Sequence, residues 1–186
     1  MLGKAVKGRR RRSGQAMVES VIVLIIILLV FLALFNLSDF TRAKLLVENA
    51  AVKCARARAV GYNDFMLRKI ARLATMPAAG ECLTAADSGE GRPSYAERYF
   101  KISDYLMSEY EAQADAILDF AYWQNGDTFI SATAGGNSAA TATVTQRRPR
   151  LFDFGALAGA AKPDGDDRAE ISATATVEAH YPDYLQ

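Results

Sequence analysis

Histidine occurs once and cysteine twice in 186 residues, and proline is missing until Pro77. One histidine and two thiols leave too few ligands for a typical structural zinc site, so no metal is expected. No partner for a Ser/His/Asp or Cys/His arrangement stands near His180 in sequence, so no catalytic site is expected either. Net charge is also nearly absent: 22 Lys+Arg stand against 21 Asp+Glu, a balance that argues against a dedicated nucleic-acid binder. An aromatic share of 10% argues against disorder. Taken as averages, these numbers describe one soluble domain. The averages mislead, because both charge and apolarity are unevenly placed.

Residues 1–14, MLGKAVKGRRRRSG, carry Lys4, Lys7, Arg9, Arg10, Arg11 and Arg12 and no acid. The remainder of the chain is therefore acidic. Every residue in 21–35 is Val, Ile, Leu, Phe or Ala, and Glu19 is the only charge between Arg12 and Asp39. Twenty-odd residues at about 1.5 Å rise reach roughly 30 Å, the thickness of a bilayer's hydrocarbon core. Lipid offers no partners to backbone polar groups, so the segment should be helical despite its many Ile and Val residues. The basic cluster stays on the cytoplasmic side and the bulk of the chain goes to the outer side. The expected organisation is a basic cytoplasmic leader (1–14), a membrane helix (15–37) and an outer domain (38–186).

Competing readings of this front end fare less well. A cleaved secretory signal needs a shorter core and an A-x-A-like site, which LALFNLSDF lacks. A twin-arginine signal has a weaker apolar core. The arginine run suits nucleic acid in isolation, but beside a span it reads as flanking charge, and no nucleic-acid partner is expected. A plain signal anchor remains, and it must account for Glu19. A carboxylate costs on the order of 3 kcal/mol at the bilayer centre and less near an end. From the residues alone, Glu19 either reaches the headgroups with no specific role or has a dedicated partner.

Ser13-Gly14-Gln15-Ala16-Met17-Val18-Glu19 followed by an apolar run resembles the processing site of type IV pilin-like proteins, in particular the TadE-like pseudopilins of tight-adherence (Tad) pili. The resemblance implies that a prepilin peptidase cuts between Gly14 and Gln15 on the cytoplasmic side, removing the leader. It implies that Glu19 aids subunit assembly by meeting the amino terminus of a neighbouring subunit. A buried carboxylate and ammonium attract strongly where each alone would be costly. Val47-Glu48-Asn49-Ala50-Ala51 and Ala55-Arg56-Ala57-Arg58-Ala59 are similar to the stretch that follows the TadE membrane helix. Two positions depart from the family pattern: Ser20 stands where an aromatic residue is frequent, and the apolar run has no proline.

The helix should continue beyond the membrane, since residues 39–76 hold no proline and one glycine, Gly61. Val47, Ala50, Ala51, Cys54, Ala57 and Arg58 share one face at helical spacing. Residues 77–93 read as a loop, after which Ser94-Tyr95-Ala96-Glu97 is a capping box opening a second helix towards Trp123. Its apolar rhythm of Tyr95, Tyr99, Ile102, Leu106, Tyr110, Ile117 and Ala121 predicts burial against the first helix and a sheet. From Phe129 the period becomes two. Ile171, Ala173, Ala175, Val177, Ala179 and Tyr181 alternate with Glu170, Ser172, Thr174, Thr176, Glu178 and His180. Ala140, Ala142 and Val144 alternate with threonines in a second strand that Arg147-Arg148-Pro149 should end, and residues 129–133 suggest a third. The implied architecture is α+β: a membrane helix extended into a long amphipathic one, packed with a second helix and a small antiparallel sheet.

The remaining motifs are weak. Cys54 and Cys82 lie outside the membrane on this topology, where a disulfide between them would add roughly 3.5 kcal/mol; two unpaired buried thiols are the alternative. Gly155 and Gly159 fit a GxxxG pattern in a loop-like stretch. Asp164-Gly165-Asp166-Asp167 misses the spacing of a calcium loop. The Asn36-Leu37-Ser38 sequon adjoins the membrane. No cofactor is implied. The expectation is a minor pilin or pseudopilin of the bacterial inner membrane, whose partners are the peptidase, other pilin-like subunits, the pilus assembly platform and membrane lipid. The rival is an uncleaved single-pass anchor presenting an envelope-side binding domain.

Overall fold

A computed structural model describes residues 9–84, 94–124, 128–135, 139–149 and 168–178. Its spine is one helix, α1 (Arg9–Ala59), 51 residues long, or roughly 76 Å at 1.5 Å per residue. Only its C-terminal half is covered by the rest of the chain. There Ala43, Val47, Ala50, Ala51, Cys54 and Ala57 are buried; of the face read from the sequence only Arg58 is left half-buried, where it pairs with Asp64. Alanines let neighbouring elements approach this side closely, so it becomes the floor of the core.

α1 stops well short of Met76, which corrects the expectation of an uninterrupted helix. Gly61 adopts φ +95°, a conformation glycine takes without a Cβ penalty. The Gly61 amide donates to the Arg58 carbonyl at 3.0 Å and the Tyr62 amide to Ala57 at 3.1 Å, the paired bonds of a Schellman stop. Asn63 then caps a new helix, its Oδ1 accepting from the Met66 amide at 2.9 Å. This helix, α2 (Asp64–Thr75), folds back along α1 and ends in a 3-10 turn at Met76–Ala78.

The second predicted helix is two. Ser94 and Glu97 form the capping box that opens α3 (Tyr95–Met107). The chain extends at Ser108 (ψ 142°) before α4 (Glu111–Ile117). The tyrosine rhythm does not mark the buried face. Tyr99 is 77% exposed and Tyr110 62%, while Tyr105, between them, is fully buried. Of the predicted stripe within α3, Ile102 turns inward and Leu106 outward; the Tyr95 side chain lies outside the described residues. α3 packs on α2 and α4, and its apolar contacts lie with Trp123 and Phe120.

The sheet follows the alternation. β1 (Thr128–Gly135), β2 (Ala139–Pro149) and β3 (Arg168–Glu178) are antiparallel in the order β1-β2-β3. Ile130, Val144 and Ala173 are in register across it, as are Ala132, Ala142 and Ala175. These residues meet α1 in one cluster. The opposite face carries threonine pairs: Thr143 meets Thr174 at 2.8 Å and Thr141 meets Thr176 at 3.1 Å. β2 ends with Arg147-Arg148-Pro149 as expected, its last residue paired with Arg168. Ala179, His180 and Tyr181 lie outside the described residues.

A second cluster lies behind α2, built on Tyr105, Leu118, Phe120 and Trp123 with Ala79 and Cys82. An isolated bridge between Cys82 and Phe120 ties its loops together.

Candidate functional site

The N-terminal half of α1 differs from everything else in the chain. Between Met17 and Leu37 its large apolar side chains stand free of the protein; Ile22, Ile26 and Phe35 are 53%, 54% and 65% exposed. An unbroken apolar surface of this length is stable only when something apolar covers it. This is one helix long and apolar enough to cross a membrane.

Two polar residues interrupt the surface near its start. Ser20 Oγ donates to the Ala16 carbonyl at 2.8 Å, which satisfies the hydroxyl inside the helix. Glu19 stands exposed, with Gln15, Val18, Ile22 and Val23 around it. Gln15 precedes it by four residues on the same face, about 6 Å along the axis. Gly14 lies inside the helix, and a Cβ placed there would meet nothing within 4 Å. Neither packing nor backbone conformation requires a glycine at this position. Arg9, Arg10, Arg11 and Arg12 form the first turn of α1 by their backbone, whereas Lys4 and Lys7 lie outside the described residues.

At the C-terminal end of the apolar stretch the sheet is clamped to α1. Arg148 Nη2 donates to Asp39 Oδ2 at 2.6 Å, and the Arg148 guanidinium also lies 5.8 Å from the Tyr122 ring. The chain names Asp39 only as the end of an apolar run, so sequence reading missed this contact between residues 109 positions apart.

Sequence reading also missed the basic row on α2. Lys69 is buried, its Nζ donating to the carbonyls of Leu106 (3.1 Å) and Ser108 (2.5 Å). It thereby caps the carbonyl end of α3, and burial lowers its pKa from the usual lysine value. Arg72 donates to Asp115 Oδ1 at 2.6 Å and to the Trp123 carbonyl at 3.2 Å, and Arg68 pairs with Glu111. The i, i+4 spacing of Arg68 and Arg72 matches that of Glu111 and Asp115, a ladder visible in sequence only once the two helices are known to be neighbours.

The structure does not bring Cys54 and Cys82 together. Both are free thiols, Cys54 in the cluster under the sheet and Cys82 in the cluster behind α2. Cys54 Sγ donates to the Leu67 carbonyl at 3.6 Å, and burial pushes its pKa up to about 11. Gly155, Gly159, Asp164, Asp166, Asp167 and His180 lie outside the described residues. Among the described residues, no three His, Cys, Asp or Glu side chains cluster as a metal site.

Residues 14–56 match the family model of TadE-like proteins. Segment 14–56 is TadE-like. The matched segment begins at Gly14 and ends three residues before α1 does, so it takes in the exposed apolar stretch, Glu19 and the alanine face up to Cys54, and none of the sheet. TadE-like proteins are pilus-associated structural proteins, and the matched segment contains a helix long and apolar enough to cross a membrane. No curated protein and no solved structure matches the chain.

Proposed function

We propose that this TadE-like protein is a minor pilin or pseudopilin, released for assembly when a prepilin peptidase cuts between Gly14 and Gln15. The observation that carries this reading is a glycine the helix does not need, one turn before a carboxylate that nothing in the chain explains. Gly14 sits in open space, so its use points to an outside enzyme that must reach the backbone closely. Lys4, Lys7 and Arg9–Arg12 hold the leader on the cytoplasmic side, where that enzyme would act.

Cleavage would leave an α-ammonium on Gln15, on the face that carries Glu19. In hydrocarbon both charges are costly, and each is relieved by an opposite charge. A subunit entering a filament can set its Glu19 against a neighbour's new amino terminus, and that pairing favours one register of the apolar helices. Glu19→Gln keeps the shape and removes the charge. It should leave the membrane level of the protein unchanged and lower its share in sheared pili. Equal incorporation of the variant and the wild type would rule out the role given to Glu19.

A further inference from the structure

Two surfaces of the outer domain are apolar, exposed and opposite in charge. α3 turns its apolar side outward: Phe100 and Met107 are 77% and 83% exposed and Leu106 lies beside them. Exposed Asp104 and Glu109 flank this patch. Half-buried Glu97 adds a third acid, while Glu111 and Asp115 face Arg68 and Arg72 of α2. The second surface is the side of α1 facing away from the sheet and α2. Leu45, Val52 and Val60 lie exposed along it, interspersed with exposed Arg42, Lys53 and Arg56. Residues 41–60 contain five bases and one acid.

We propose that neighbouring copies of this chain dock head to tail, the outer face of α3 in one copy seating against the uncovered face of α1's C-terminal half in the next. Charge selects this pairing. Setting two α3 faces together would oppose acids, setting two α1 faces together would oppose bases, and only the crossed contact matches signs. Level selects it too. Lys69 of α2 holds the carbonyl end of α3, and α2 packs along the C-terminal half of α1, so the Met107 end of the patch is tied to the same half of α1 that carries the second face. Copies anchored in one membrane share a direction, and a crossed contact needs only rotation about the membrane normal. It uses a different patch on each copy, so it propagates instead of closing as a pair. The contact does not depend on peptidase processing.

Cysteine crosslinking of the full chain in membranes tests it. Cells would co-express one copy carrying Val52→Cys and one carrying Met107→Cys, and the membranes would be oxidised. A disulfide-linked dimer should form in the mixture and not with either variant alone; the native thiols are buried and do not compete. The double variant should give a ladder beyond the dimer, and Phe100→Asp should lower the yield about tenfold. The ladder should persist when Gly14→Leu blocks processing, which separates this contact from the proposed cleavage. Three results would overturn the proposal: a dimer from Met107→Cys alone, a ladder that stops at two, or a disulfide to a different protein.

Discussion

The cluster beneath the sheet is made of alanine, and the cluster behind α2 is made of rings. The first sets Ala43, Ala50, Ala51 and Ala142 around Val47, Val144 and Ile171. The second sets Tyr105 and Phe120 around Trp123, with ring centroids 5.8 and 4.6 Å from the indole. The alanine face belongs to the segment that matches the TadE-like family, and the ring cluster lies wholly outside it. Small side chains let a sheet sit directly on a helix that must also run on into the membrane, so that helix keeps one simple surface over its whole length. The rings give residues 79–84 and 94–124 their own apolar centre, fastened to α2 by Lys69 and Arg72. The two regions should therefore fail in opposite ways: the ring cluster when side chains are cut down, the alanine face when they are enlarged.

The largest effect should come from Trp123→Ala. This side chain is 1% exposed, and removing it should cost about 3–5 kcal/mol, read by denaturant unfolding of the detergent-solubilised chain followed by circular dichroism. A cost below about 1 kcal/mol would show that the rings do not hold this region. Ala50→Leu tests the other side. Ala50 has no exposed surface, and the added carbons should cost about 1–3 kcal/mol by overpacking. Trp123 is the single tryptophan, so its fluorescence reports on the second cluster and should be unchanged in the native Ala50→Leu protein. A shifted emission maximum would mean that the clusters are not separate.

A smaller effect belongs to Cys54, at the edge between α1 and α2. Its thiol titrates near 9.0 when unfolded and at about 11 when folded. Between those values the folded state holds a proton the unfolded state has lost, so stability falls as pH rises. The contribution is complete below pH 9 and gone once the pH has climbed through about 11. Cys54→Ala should remove this part of the alkaline loss, seen as a shallower fall in unfolding free energy from pH 9 to 11. Equal slopes for both proteins would contradict the burial of the thiol.

The contrast between the regions also governs what the amino-acid sequence made readable. The span, Glu19 and the alanine face declare themselves because one helical period runs from lipid into the core. The strands do so because Ala/Thr alternation has no other reading at that length. The hairpin at Gly61 was hidden by composition, since the residues around it are good helix formers. Its signals are local: Gly61 at the stop and Asn63 at the next cap. The face of α3 was misread because its spacing is helical whichever side is buried, and only α2 and Trp123 decide that Tyr105 turns inward and Tyr99 outward. Asp39 with Arg148, and Lys69 with the end of α3, are contacts between distant positions that periodicity does not reveal.

The central claim is that the chain becomes an acidic anchored subunit when its basic leader is removed. The most direct measurement is N-terminal sequencing of the protein extracted from membranes, for the wild type and for Gly14→Leu. The helix has open space at that Cβ, so the variant should fold and insert as the wild type does. The account predicts that the wild type begins at Gln15 and Gly14→Leu at Met1. An intact Met1 in the wild type in cells with an active prepilin peptidase, or a first residue beyond position 30, would contradict it.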